Sequence, residues 1–247
     1  IQTGNNARFL RKWYEVKYDH IFFHAKTAEE FDVHGKKWAP VVKGGNYRKW
    51  YGNTDYIINW EANGQEIKEH LGAKREKAIV PNESYYFKRG LTWSDITSSN
   101  FSMRVLKSGT LFESNGLSAF PINSSMGLNY VLGLSNSVVG NFILNILNPT
   151  IHMKSGYYSN LPVIVDSNYD DVVVHVHQNI HNSEEEWNCY EEASEFSLSP
   201  ILTSIAEDNR NWTVEAAFNQ WKQEAQDRFD QLKKNEEELN KIFIDLY

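Results

Sequence analysis

Residues 43–60 gather the side chains of this sequence best suited to binding chemistry. Arg48, Lys49, Trp50 and Tyr51 run consecutively, behind the pair Gly44-Gly45 and ahead of Gly52-Asn53. A tight turn there presents guanidinium, ammonium, indole and phenol groups together. Cations neutralise phosphates or donate to guanine edges, aromatic rings stack or wedge, and glycine lets backbone N–H groups approach a phosphate oxygen. Lys43, Tyr47, Arg48, Lys49, Trp50, Tyr51 and Asn53 are therefore candidate DNA contacts. A second polar-aromatic cluster follows at Lys88, Arg89, Thr92, Trp93 and Ser94, with Arg104 beyond it. The same residue types also suit a hairpin whose Trp50, Tyr51, Tyr56 and Trp60 fill a core while Lys43, Arg48 and Lys49 sit in water, and on spacing alone that arrangement is the commoner one.

Catalytic signatures are sparse. The sequence has no G-x-S-x-G elbow and no phosphate loop ending in Gly-Lys-Ser/Thr, and Gly44-Gly45 matches no dinucleotide fingerprint. One spacing suggests a metal: on a strand, His175 and His177 share a face. Alternation with Val172, Val174 and Val176 is more often the polar side of a half-buried strand, and no cysteine pair completes a site. Asp170-Asp171 and Glu184 to Glu186 are explained by solvation and helix dipoles.

The elements that must position these groups come from charge and periodicity. The formal net charge of −7 is unevenly spread: residues 1–180 hold 19 Lys+Arg against 16 Asp+Glu, and residues 181–247 hold 6 against 16. Within 36–107 the balance is 13 against 7, so the segment containing the first motif is basic despite the acidic whole. An amphipathic helix is expected near residues 2–16 with Arg8, Arg11 and Lys12 on one face. Strands are expected at 41–42, at 56–60 with a turn at Glu61 to Gly64 behind it, at 101–105 and 110–112 as neighbours in one sheet, at 161–165 or leading out of it, and around His175, and helices at 65–81 and 138–147, the latter buried. From Phe218 the apolar series Phe218, Trp221, Ala225, Phe229, Leu232, Leu239, Phe243, Leu246 fits a 3.5-residue seam if Glu236 fills its one long gap. The expected partner of that helix is a helix of a second copy or of a further part of the protein.

No apolar run approaches the roughly 18 residues of a membrane span, and no basic-then-apolar leader opens the sequence. The single Cys189 excludes an internal disulfide framework and fits a reducing cytoplasm, where the sequons at Asn100, Asn123 and Asn211 carry little weight. Beginning at Ile1 and ending within a helical pattern, the chain reads as a piece of a longer polypeptide.

Several motifs in order resemble a known family: Gln2-Thr-Gly-Asn-Asn with Arg8-Phe-Leu-Arg11, Lys43-Gly-Gly with Arg48-Lys-Trp-Tyr-Gly-Asn53, Gly90-Leu-Thr-Trp-Ser94, Phe101-Ser-x-Arg104, Leu134-Ser-Asn-Ser137, Asn148-Pro-Thr150 and the stretch Asn235 to Tyr247. Together they resemble the C-terminal half of the PglX-type adenine-specific DNA methyltransferases of BREX phage-defence systems. The resemblance implies an upstream domain that binds S-adenosylmethionine and methylates N6 of a flipped-out adenine, with this chain as target recognition domain. It implies a mixed α/β (α+β) fold similar to the recognition domains of type I specificity subunits, over residues 1–180, followed by an acidic helical spacer, 181–247. Asn148-Pro149-Thr150 lacks the second proline and aromatic of the catalytic motif, so neither catalysis nor cofactor binding is expected of this chain itself. The implied partners are double-stranded DNA, the parent's own methyltransferase domain and other defence-system subunits. The rival expectation is a protein assembly module, since aromatics with arginine also mark protein hot spots; a carbohydrate-binding domain is a poorer third.

Overall fold

The computed structural model describes residues 1–70, 78–96, 100–122, 127–207 and 213–247, residues 204–207 by their backbone alone. Nine helices and seven strands are described. In chain order the helices are α1 (Asn6–Phe9), α2 (Ala28–His34), α3 (Glu61–Glu69), α4 (Leu128–Asn136), α5 (Val138–Leu147), α6 (Ser155–Tyr158), α7 (Tyr169–Asn188), α8 (Pro200–Glu207) and α9 (Val214–Leu246). The strands are β1 (Leu10–Lys12), β2 (Trp38–Val42), β3 (Tyr56–Asn59), β4 (Gly90–Ser94), β5 (Met103–Leu106), β6 (Leu111–Phe112) and β7 (Gly116–Ala119). The fold is mixed α+β.

Two small sheets sit side by side. The first runs β1-β3-β2-β6, with β3 antiparallel to both neighbours and β6 parallel to β2; the second runs β5-β4-β7 and is antiparallel throughout. The expected helix at residues 2–16 is confined to α1, because Leu10 to Lys12 pair with Ile58 to Tyr56 instead. Its basic face is partly consumed: Arg8 pairs with Glu66 and Lys12 with Asp55.

The second sheet carries the larger core. Leu91, Trp93, Met103 and Val105 occupy alternate positions on one face, where most join Tyr130, Leu134, Val172, Val176, Leu239 and Phe243 in one buried cluster. Gly133 lets α4 approach α7 closely, since a Cβ there would lie 2.9 Å from Val176 and 3.1 Å from Val172. Asn136, buried at the end of α4, donates to and accepts from the backbone of Met103, both at 2.9 Å. With the Trp50 backbone, which pairs beside Arg104, it covers the open edge of β5.

The helical half departs from several expectations. His175 and His177 lie on α7, not on a strand, so they point to different faces of a helix. No metal-binding group of three is found among the described residues. Residues 161–165 form no strand; the Pro162 carbonyl and the Ile164 N–H bind the Tyr247 hydroxyl instead. The helix expected at 65–81 is seen as α3, which opens on a left-handed turn at Ala62, Asn63 and Gly64 and ends at Glu69; residues 71–77 lie outside the described residues, and 78–81 are not helical, because Ile79 pairs with Gln2 instead. Helix α5 is where expected but buried on one face alone: Leu144 enters the core with Val139 and Ile143 packed against it, while Val138, Phe142 and Ile146 face solvent.

Helix α9 runs the full expected length, and its partner is in the same chain. Leu239 and Phe243 enter the core beside α7 and α4. The gap in its apolar seam is filled by Asn235 rather than Glu236. Asn235 is buried and binds Asn179 at 3.0 Å and Gln178 at 3.1 Å on α7. A polar pair at one seam position fixes helix register, because any slip strands both amides. Helix α7 continues unbroken through residue 180, and the cluster that contains Trp93 and Met103 also contains Leu239 and Phe243.

Candidate nucleic-acid interface

The loop between β2 and β3 is shaped by its glycines. Gly44 has φ +84, and a Cβ there would lie 2.7 Å from the Asn115 carbonyl. Trp50 takes the left-handed φ of +69, which a bulky residue adopts only when its surroundings hold it there. They do: its backbone N–H donates to Met103 O at 3.0 Å, its carbonyl accepts from Val105 N at 2.9 Å, and its indole Nε1 donates to Glu236 at 2.7 Å.

That geometry commits the first motif to the interior. Trp50 and Tyr51 are each 2 % exposed. Lys49 Nζ lies 2.8 Å from the other oxygen of Glu236 on α9; Arg48 Nη1 lies 2.7 Å from Glu186 on α7 and its guanidinium packs 4.8 Å over the Trp187 ring. Arg104, 1 % exposed, donates to the Arg48 carbonyl at 3.0 Å and weakly to Ser94 Oγ. Burial, with Arg48 adding repulsion, lowers its pKa to about 10, so it remains a buried cation at neutral pH. These groups do converge, but on two acidic helices rather than around a duplex-sized opening.

The second motif divides. Thr92 Oγ1 donates to Leu117 O at 2.9 Å, Trp93 Nε1 to Met153 O at 2.7 Å and Ser94 Oγ to Gly45 O at 2.9 Å. Thr92 and Trp93 are buried, which excludes them from direct contact with a ligand in this structure. Lys88 and Arg89, by contrast, are exposed and form no ion pair among the described residues. Lys43, half-buried with Nζ 4.9 Å over Tyr56, also has no carboxylate partner among them. Tyr47 is 50 % exposed, and Asn53 Nδ2 closes the loop onto Asn46 O at 3.0 Å. Of the residues nominated from the sequence, Lys43, Tyr47, Lys88 and Arg89 thus offer the most accessible binding chemistry.

Several shaping residues were not nominated. Glu186 and Glu236 neutralise the first motif, and Lys107 is clamped between Glu184 at 2.5 Å and Glu195 at 2.8 Å. Burial works to lower the Lys107 pKa, but Tyr51 and then the two carboxylates hold it above its ordinary range, while burial pushes the Tyr51 phenol up to about 12. The signal for this arrangement was present in the charge split: a basic middle and an acidic end in one chain are mutually attractive.

A cleft of about 490 Å³ opens between Tyr51, Arg89, Lys107, His177, Glu184 and Glu195. Both of its carboxylates pair with Lys107. Asn148 is likewise occupied, bound to Thr150 and to His152 O within its own turn.

No protein-family model matches the chain. Its whole length is 44 % identical to adenine-specific methyltransferase PglX of Lacticaseibacillus casei, covering 20 % of that protein. The chain fits a fragment of a PglX-type sequence. Over 81 % of its length it is also 32 % identical to adenine-specific methyltransferase BrxX of Escherichia coli, covering 15 % of that relative. The PglX-type match leaves no part of the present fold unaccounted for, from Ile1 to Tyr247, but the chain spans only about a fifth of the PglX length.

Proposed function

We propose that this chain is a double-stranded DNA recognition module of an adenine-specific DNA methyltransferase that acts in phage defence of the BREX type. The observation that carries the reading is the whole-length identity to a PglX adenine-specific methyltransferase. Methylating a chosen adenine requires a part that reads the surrounding duplex and a part that transfers the methyl group. Among the described residues, His175 is bonded to Asn235, and Asn148 is tied into its own turn. The chain does offer accessible cations beside aromatic rings at Lys43 and Lys88. In this reading S-adenosylmethionine and the catalytic residues belong to the parent's methyltransferase domain, and the setting is the cytoplasm.

Binding of labelled duplexes by the whole polypeptide that carries this chain, compared with the same polypeptide lacking it, tests the proposal. Affinity that falls with salt and disappears with the chain is expected. Binding that survives its removal unchanged defeats the reading. A second reading, docking to other defence-system proteins, is favoured by one observation: Val138, Phe142, Ile146 and Ile244 form an exposed apolar patch across α5 and the end of α9. Both surfaces are compatible with one module.

A further inference from the structure

The segment Tyr85–Gly90 supports a second structure that the sequence did not single out. Tyr85 lies 4.9 Å, ring to ring, from Phe120, the residue that follows β7, and Phe112 anchors Phe120 from behind at 5.4 Å. Gly90 has no room for a side chain here, since a Cβ would lie 2.6 Å from Ala119 O and 2.8 Å from the Phe120 ring. On the other side, Arg89 Nη2 reaches Asn129 Oδ1 at 3.5 Å in the first turn of α4. Both feet of the β7–α4 connection therefore stand on the segment that carries Lys88 and Arg89.

Just past the first foot is Ile122, 99 % exposed. It is the second residue after Phe120, within about 7 Å of chain of the ring that packs on Tyr85 and Gly90. A single exposed apolar side chain is ordinary on a protein surface. Its setting is not: from Gly116 to Met153 the sequence has no Asp, Glu, Lys or Arg, so nothing in the connection repels a phosphate. The nearest acid along the supporting segment, Glu83, is held by Lys68 at 2.7 Å.

We propose that Tyr85, Lys88, Arg89 and Ile122 form a contact face for duplex DNA, in which Lys88 and Arg89 hold phosphates and Ile122 presses against a base step from the minor groove. An apolar wedge flanked by cations is the chemistry that unstacks a step while the backbone is gripped on either side. The inference rests on the DNA-recognition reading above and names where on this chain the duplex is met.

The test uses the whole polypeptide that carries this chain, as wild type, as Lys88→Ala/Arg89→Ala and as Ile122→Ser, with a fluorescein-labelled pool of duplexes of randomised sequence at several sodium chloride concentrations. Each lost phosphate contact lowers the slope of log affinity against log salt by about 0.9, so the double variant should lose up to about 1.8 in slope. Ile122→Ser should weaken binding about tenfold with its slope unchanged, because its contribution is apolar. Thermal melting of all three proteins at the wild-type temperature accompanies the expected result. If wild type binds with a salt-dependent affinity and the double variant keeps its slope, the face is wrong and the DNA reading stands. An Ile122→Ser protein that binds like wild type removes the wedge. A wild type that binds no duplex removes both.

Discussion

Arg48-Lys49-Trp50-Tyr51 and Tyr85-Tyr86-Phe87-Lys88-Arg89 are made of the same kinds of residue and fold to opposite ends. In the first, both cations meet carboxylates on α7 and α9 and both aromatics are buried. In the second, Tyr86 and Phe87 enter the core while Lys88 and Arg89 stay in water. Composition does not separate the two; the position of acids contributed by helices more than a hundred residues away does. A basic-aromatic run is a joint where the chain supplies its own anions, and remains an open surface where it does not.

The sharpest way to break the comparison is truncation of its buried member. Trp50→Ala should destabilise the protein by about 3–5 kcal/mol in urea unfolding, whereas Tyr85→Ala at the half-exposed second site should cost less than about 1 kcal/mol. Equal losses would dissolve the distinction.

Next in size is a pH effect confined to the joint. Burial raises the Tyr51 pKa from 10 to about 12, so the folded state favours the neutral phenol. That stability is fully present below pH 10 and is lost as pH rises from 10 through 12. Linkage puts the loss attributable to Tyr51 at up to roughly 3 kcal/mol, and Tyr51→Phe should flatten that part of the alkaline stability curve. Tyr158 and Tyr130, also raised to about 12 chiefly by burial, will keep the remaining slope above zero.

Gly44→Ala should cost about 1–3 kcal/mol, because it places a Cβ against a backbone carbonyl at a positive φ. Glu236→Gln should cost about 1 kcal/mol, losing the charge opposite Lys49 while keeping an acceptor for the Trp50 indole. Smallest of all, Lys88→Ala and Arg89→Ala should leave the unfolding midpoint within about 0.5 kcal/mol of wild type, as befits exposed side chains.

Much of the fold could be read in the sequence where local pattern and tertiary packing agree. The 3.5-residue seam gave the length of α9, the Glu61 to Gly64 turn is present, and the strands at 101–105 and 110–112 lie close to β5 and β6, but in different sheets rather than as neighbours in one, because β6 pairs with β2 and β5 with β4. The seam's slot was misread by one residue because sequence alone cannot tell that Asn235 meets the buried amide of Asn179 on α7, while Glu236 reaches sideways to the loop. His175 was read as strand because valines at alternate positions mimic period two, yet Val172, Val176, Asn179 and Ser183 also advance at helical spacing, and packing chose that. Residues 2–16 show the reverse, a helical spacing overridden by pairing with β3. For the interface, residue type was legible and accessibility was not. Whether Arg48 or Arg89 faces solvent depends on where Glu186 falls in three dimensions, which no spacing within the motif records.

Helix α9 is 33 residues long, about 50 Å end to end. Leu239 and Phe243 embed its last third beneath the second sheet, and Glu236 sits at the point where the embedded part begins. The first two thirds of the helix and the open edge of β5 are thereby joined through a single carboxylate, which accepts from the indole of the residue whose backbone pairs beside Arg104.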